Sequence, residues 1–220
     1  LLVARLIISV FMAESGMATI PLFPLGTVLF PDGYLPLRIF EVRYLDLIQK
    51  CFTTGAEFGV VALNWGHEIQ VAGQHEQFAE IGTMARILEM TPVQANLLNV
   101  RTIGGTRFRI LSSERQKNGV WQAEIENVAP DQEVAIPPEL DDTARALGHL
   151  IAALQQEGIT APHFPLLPPF RLDDCGWVSN RWCDLLPLTL EEKQRLLTLD
   201  NPLLRLELVQ DLLDERGWLE

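Results

Sequence analysis

The sequence predicts an α+β fold, a curled antiparallel β pseudo-barrel followed by a C-terminal helical bundle. Three observations carry this. Residues 17–136 hold short apolar runs broken by glycines. Only one stretch among them has the helical period. Residues 137–220 have few glycines, many leucines and helical spacing. Five or six short strands with a single helix favour a sheet that curls on itself, and the leucine-rich remainder supplies helices to pack on it. The expected division is therefore a pseudo-barrel over 17–136 and a bundle over 137–220.

In chain order, Pro21 and Pro24 keep the first segment extended and withhold amides, as on a sheet edge. Pro31-Asp32-Gly33 is turn chemistry. It introduces a strand over Tyr34–Phe40, where Leu35, Leu37 and Ile39 alternate with Pro36, Arg38 and Phe40. Tyr44, Leu45, Ile48 and Phe52 then recur at helical spacing, and Gly55 closes that helix. Strands follow over Glu57–Asn64 and Ile81–Met90. Leu97–Ile103, Gly104-Gly105 and Arg107–Leu111 read as a hairpin, because paired glycines supply positive φ. A second hairpin turn at Lys117-Asn118-Gly119 leads into Val120–Val128. Beyond Pro137-Pro138, Asp141–Gln156 places Ala144, Leu147, Leu150, Ile151 and Leu154 on one face, with Gly158 as its stop. Residues 159–172 carry four prolines and read as an irregular crossing. A short helix is expected over Gly176–Leu186. Thr189 and Glu192 form a capping box for Leu190–Leu199, and Pro202 opens a last helix over Leu203–Glu215.

Composition narrows the functional classes. The 220 residues carry 17 Lys and Arg against 29 Asp and Glu, a formal net charge of −12. A global attraction to nucleic acid or anionic lipid is thereby disfavoured. Three cysteines, Cys51, Cys175 and Cys183, form no CxxC pair, which reads as reduced thiols in a cytoplasmic protein. The apolar opening LLVARLIISVF is too short to span a bilayer. It resembles a signal-peptide core, but Met is absent at position 1 and the basic flank is one Arg. Residues 1–16 are read as an upstream extension ahead of a start at Met17.

Residues 20–45, IPLFPLGTVLFPDGYLPLRIFEVRYL, are the most specific stretch of the chain. They resemble the opening of the Lon N-terminal domain family, the substrate-recognition domain that precedes the ATPase of Lon proteases and also occurs free-standing. Arg38, Phe40, Glu41, Arg43 and Tyr44 fall at the family's spacing, and FGVVAL, IGTMARI, GTRFRI and the tail from Leu185 to Glu215 extend the likeness over residues 18–216. The chain departs near 91–97, where TPVQANL replaces an Asp-Gly-type hairpin. The resemblance implies a PUA-like pseudo-barrel and non-catalytic binding of unfolded or exposed protein segments, as adaptor, holdase or regulator of a protease or ATPase on another chain. It implies no cofactor and no membrane.

The motor and the protease are absent from the sequence. No GxxxxGK[ST] phosphate loop occurs, three lysines and five serines form no recognisable dyad, and there is no GxSxG elbow. The candidate peptide contacts are Phe23, Arg38, Glu41, Arg43 and Tyr44, for which ion pairing that fixes the chain is the competing role. Arg107 and Arg109 share one strand face and are the alternative, an RNA-binding patch. Cross-strand pairing with Glu124 and Glu126 competes with it. His67 and His75, with Glu68 and Glu76, are weighed as metal ligands or as the base of an unrecognised hydrolase, and His163 with Cys175 and Cys183 as a zinc set. None has established ligand spacing. Solvated loop histidines and buried thiols among Trp177 and Trp182 are the favoured readings, and no metal site is expected.

Overall fold

The computed structural model describes residues 18–65, 76–159 and 164–219. Residues 1–16, His67, His75, Glu68 and His163 lie outside them. Seven strands come first: β1 (Ala18–Leu25), β2 (Tyr34–Ile39), β3 (Phe58–Trp65), β4 (Gln77–Phe78), β5 (Ile81–Gln94), β6 (Leu97–Arg115) and β7 (Trp121–Asn127). Helix α1 (Val42–Thr54) lies between β2 and β3. Helices α2 (Asp141–Gln156), α3 (Cys175–Leu185), α4 (Leu190–Leu197) and α5 (Pro202–Asp214) follow the sheet.

The sheet runs in the order β1-β7-β6-β5-β3-β4, and an added β1–β3 pairing closes it into a barrel. That closure is parallel, Leu22 to Leu25 against Gly59 to Ala62; the other pairings are antiparallel. The edge role expected of Pro21 and Pro24 is corrected by these registers. β1 pairs with β7 through residues 18–22 and with β3 through residues 22–25. Each proline thus sits where the strand is paired on one side only, so neither costs a ladder bond on both.

The expected hairpin at Gly104-Gly105 is also corrected: β6 continues through both glycines as one strand. Neither has a positive φ. Gly104 serves close approach instead, because a Cβ there would stand 2.1 Å from the Phe30 carbonyl oxygen. The Gly104 amide donates to Gly33 O and its carbonyl accepts from the Asp32 amide, both at 2.9 Å. The β5–β6 turn lies at Ala95-Asn96, where Asn96 takes φ 60°. The β6–β7 turn uses Gly119 at φ 84°, where the sequence places it.

The helices follow local chemistry closely. Gly55 ends α1 at φ 70°, the left-handed stop a glycine provides without strain. Asp174 caps α3 by accepting from the Gly176 amide. Thr189 and Glu192 form the reciprocal capping box of α4, and Asn201 caps α5 with Pro202 in its first turn.

Three apolar clusters hold the molecule. Ile20, Leu22, Met84 and Phe108 fill one between the barrel strands. Phe23, Tyr44, Ile48, Phe58 and Val100 pack α1 and β2 against the sheet. The largest joins Phe30, Ala62 and Ile81 to Leu147, Trp177, Trp182 and Leu206 of the helices. Among the described residues no helix is long and apolar enough to cross a membrane.

Candidate functional site

Strand β2 is a place where the sheet stays open. It pairs with β6 from Tyr34↔Ile103 to Ile39↔Leu98, and among the described residues no strand lies on its other side. A cleft of about 320 Å³ runs beside it. Every residue from Leu35 to Glu41 contributes to the wall, so the cleft follows the strand rather than one of its faces. Phe23, Leu25 and Thr27 of the β1 end, with Tyr44 of α1, form the opposite side.

The strand's alternation sets the character of this wall. Ile39 is buried and Leu35 and Leu37 are half-buried against the sheet, whereas Pro36, Arg38 and Phe40 are exposed. Phe40 is 52% exposed and the adjoining Val42 73%. An aromatic on the solvent parity of an alternating strand is the signal that marks Phe40, which the sequence reading left out of the site.

The proposed contacts divide into three groups. Arg38 and Glu41 line the cleft and reach solvent. Phe23 and Tyr44 line it from beneath, at 6% and 2% exposure, and stack on each other at 4.0 Å between ring centroids. Burial raises the Tyr44 hydroxyl's pKa, and among the described residues that hydroxyl has no hydrogen-bond partner. Arg43 is buried and is not part of the cleft wall. Its guanidinium donates to Glu41 at 3.0 Å, to Gly119 O at 3.1 Å and to Glu76 at 3.4 Å, and it lies over the Tyr44 ring. Arg43 thus ties the start of α1 to the β6–β7 turn, and Trp121 Nε1 donates to the same Glu76 carboxylate and holds it in place.

Arg107 and Arg109 do not form a patch. Arg107 is only 4% exposed, which corrects the solvated face expected of it. The α4–α5 connection covers that position, and Arg107 donates to Leu197 O at 2.8 Å, to Leu199 O at 3.2 Å and to Asp131 at 3.2 Å. Arg205 of α5 meets the same carboxylate at 2.6 Å. Arg109 is half-exposed and pairs with Glu126 directly opposite, at 3.5 Å. Glu124, the other expected partner, instead accepts from Ser112 at 3.0 Å.

Cys175 and Cys183 are fully buried. The Cys175 thiol donates to Ala135 O at 3.6 Å, and burial pushes the Cys183 thiol up to about 12. Such a protonated sulfur is neither a ready nucleophile nor a ready metal ligand. Among the described residues no three His, Cys, Asp or Glu side chains stand together as a metal site.

A model of the ATP-dependent protease La (LON) substrate-binding domain matches residues 19–215. The chain belongs to this family. A Lon N-terminal domain protein from Xanthomonas campestris is similar to it in structure, with 32% identity, a TM-score of 0.64, and coverage of 89% of this chain and 98% of that one. The N-terminal domain of the Mycobacterium avium complex Lon protease shares the fold at 17% identity and a TM-score of 0.57, over 88% of this chain and 97% of that one. The Lon protease of Anaeromyxobacter dehalogenans is 25% identical over 215 residues, 92% of this chain and 24% of the protease. Protein cereblon of Danio rerio is 26% identical over 126 residues, 54% of this chain and 28% of cereblon. The matched regions thus make up between about a quarter and a third of these curated relatives. As a Lon substrate-binding domain, the chain has the α+β fold of its family, and the family is one of recognition rather than catalysis.

Proposed function

We propose that this protein binds extended or exposed segments of other proteins along β2, without nucleotide, and serves as an adaptor or regulator for a protease or ATPase on another chain. The observation that carries the reading is the cleft itself: an apolar wall beside a strand whose second edge has no partner strand among the described residues. An extended peptide there gains main-chain hydrogen bonds from the edge and side-chain burial from the wall, with limited sequence preference. In this reading residues 17–136 supply the cleft, and the helices of 137–220 brace the loop that feeds β2. A cytoplasmic setting, favoured by three buried free cysteines, is part of the proposal.

The test is fluorescence anisotropy of a labelled, permanently unfolded protein titrated with the 220-residue chain, with its folded counterpart and a short RNA as controls. Micromolar binding of the unfolded probe alone, weakened by Phe40→Ala, is the expected result. Binding of RNA alone would instead favour an RNA-binding role through Arg109. Failure to bind the unfolded probe would remove generic segment capture.

A further inference from the structure

The cleft beside β2 carries one charge that the rest of the described residues leave unanswered. Arg38 is exposed, lines the cleft, and makes no ion pair or hydrogen bond among the described residues. Four other arginines are engaged: Arg43 of α1 with Glu41, and Arg101, Arg107 and Arg109 of the sheet with Glu89, Asp131 and Glu126. Glu41, the carboxylate on the same wall, is matched by the buried Arg43 guanidinium at 3.0 Å. The wall thus has an uncompensated positive group set among Leu35, Leu37 and Phe40, on a chain whose formal charge is −12.

We propose that the cleft prefers extended segments in which a carboxylate side chain lies beside a bulky apolar one, with Arg38 as the residue that reads the carboxylate. This rests on the segment-binding role proposed for the cleft and names the class of segment. Alternation in a bound strand sends neighbouring side chains to opposite faces and next-nearest ones to the same face. An apolar residue can therefore settle against Leu35, Leu37 and Phe40 while a nearby acidic one meets the guanidinium. The planar guanidinium fork matches a carboxylate with two parallel hydrogen bonds, which an ammonium cannot reproduce. A doubly charged phosphate is the poorer occupant. It would meet a single cation, with the Glu41 carboxylate on the same wall and a strongly acidic protein around it. The overall negative charge slows the approach of every acidic segment, so the preference must come from the local contact and is lost with it.

The test uses the full chain and three fluorescein-labelled Leu-Ser repeat peptides that differ at one central residue, Glu, Gln or Lys. At one fixed ionic strength, the Glu peptide is expected to bind about five-fold more tightly than the Gln peptide, with the Lys peptide weakest. Arg38→Gln brings the Glu peptide to the level of the Gln peptide. Arg38→Lys keeps part of the preference, because the charge stays and the fork is lost. Equal binding of the Glu and Gln peptides, or a preference that survives Arg38→Gln, overturns the inference while leaving the segment-binding role intact. Binding of none of the three removes both.

Discussion

Arg38 and Arg107 sit on strands of the same sheet, each followed by an apolar residue, and they are opposites in the folded molecule. Arg38 reaches solvent beside an open strand edge with no ion pair among the described residues. Arg107 is sealed beneath the α4–α5 connection, with three backbone carbonyls and Asp131 as acceptors and Arg205 on the same carboxylate. The contrast separates two uses of a charged strand residue. One is available to a partner, and the other joins the sheet to the helices. Local sequence does not distinguish them, because the Arg107 acceptors Asp131 and Leu197 lie far along the chain.

The sharpest way to break the contrast is at the junction. Asp131→Ala leaves two buried guanidiniums without their shared carboxylate, and a loss of about 3–5 kcal/mol is expected, read as a lower midpoint in urea unfolding. Gly104→Ala strikes the loop that feeds β2. Its methyl would be driven onto the Phe30 carbonyl, and destabilisation by about 2–3 kcal/mol is expected in the same assay.

A third effect depends on pH. Asp184 lies 3.0 Å from Arg181, and Arg181 also donates to Pro31 O at 2.6 Å, clasping the loop ahead of β2. Burial raises the Asp184 carboxyl from its ordinary value to about 6, against the opposing pull of Arg181 and Lys193. The folded protein therefore holds this proton more firmly than the unfolded chain does. Its contribution to stability is complete below about pH 4 and is lost as the pH rises through 6. Relative to Asp184→Asn, the parent should gain no more than about 3 kcal/mol between pH 7 and pH 4, measured by unfolding at each pH.

At the open edge the expected stability effects are smallest. Phe40→Ala should change stability by no more than about 0.5 kcal/mol while weakening the unfolded probe several-fold in anisotropy. A large stability loss in that variant would mean that the residue is structural and that the two regions are less different than their exposures imply.

What was legible in the sequence was what is encoded locally. The α4 capping box, the Gly55 stop of α1 and the Gly119 turn each depend on residues within a few positions. The motif around residues 20–45 pointed to the family that the whole-chain match establishes. Gly104-Gly105 misled because a glycine that turns the chain and one that admits a distant carbonyl look alike until Phe30 is in place. β1 misled for a similar reason: its neighbour changes at Leu22, and nothing within the strand announces two different partners. At the candidate site, the alternation of β2 gave its buried and exposed sides. Which charges remained available there required the positions of Arg43, Gly119 and Glu76.

The split pairing of β1 also bears on how the chain is made. β1 leaves the ribosome first, yet β7, its partner through residues 18–22, lies about a hundred residues later in the sequence. At bacterial and eukaryotic synthesis speeds of about 5–20 residues per second, the nascent strand waits roughly 5–20 s for that partner. Throughout that interval β1 is an apolar, extended segment whose Ala18–Leu22 half lacks its partner, the kind of sequence that recruits its own copies on a polysome. Pro21 and Pro24 interrupt its row of amides, so the segment that must wait longest is a poor template for intermolecular strands while it does so.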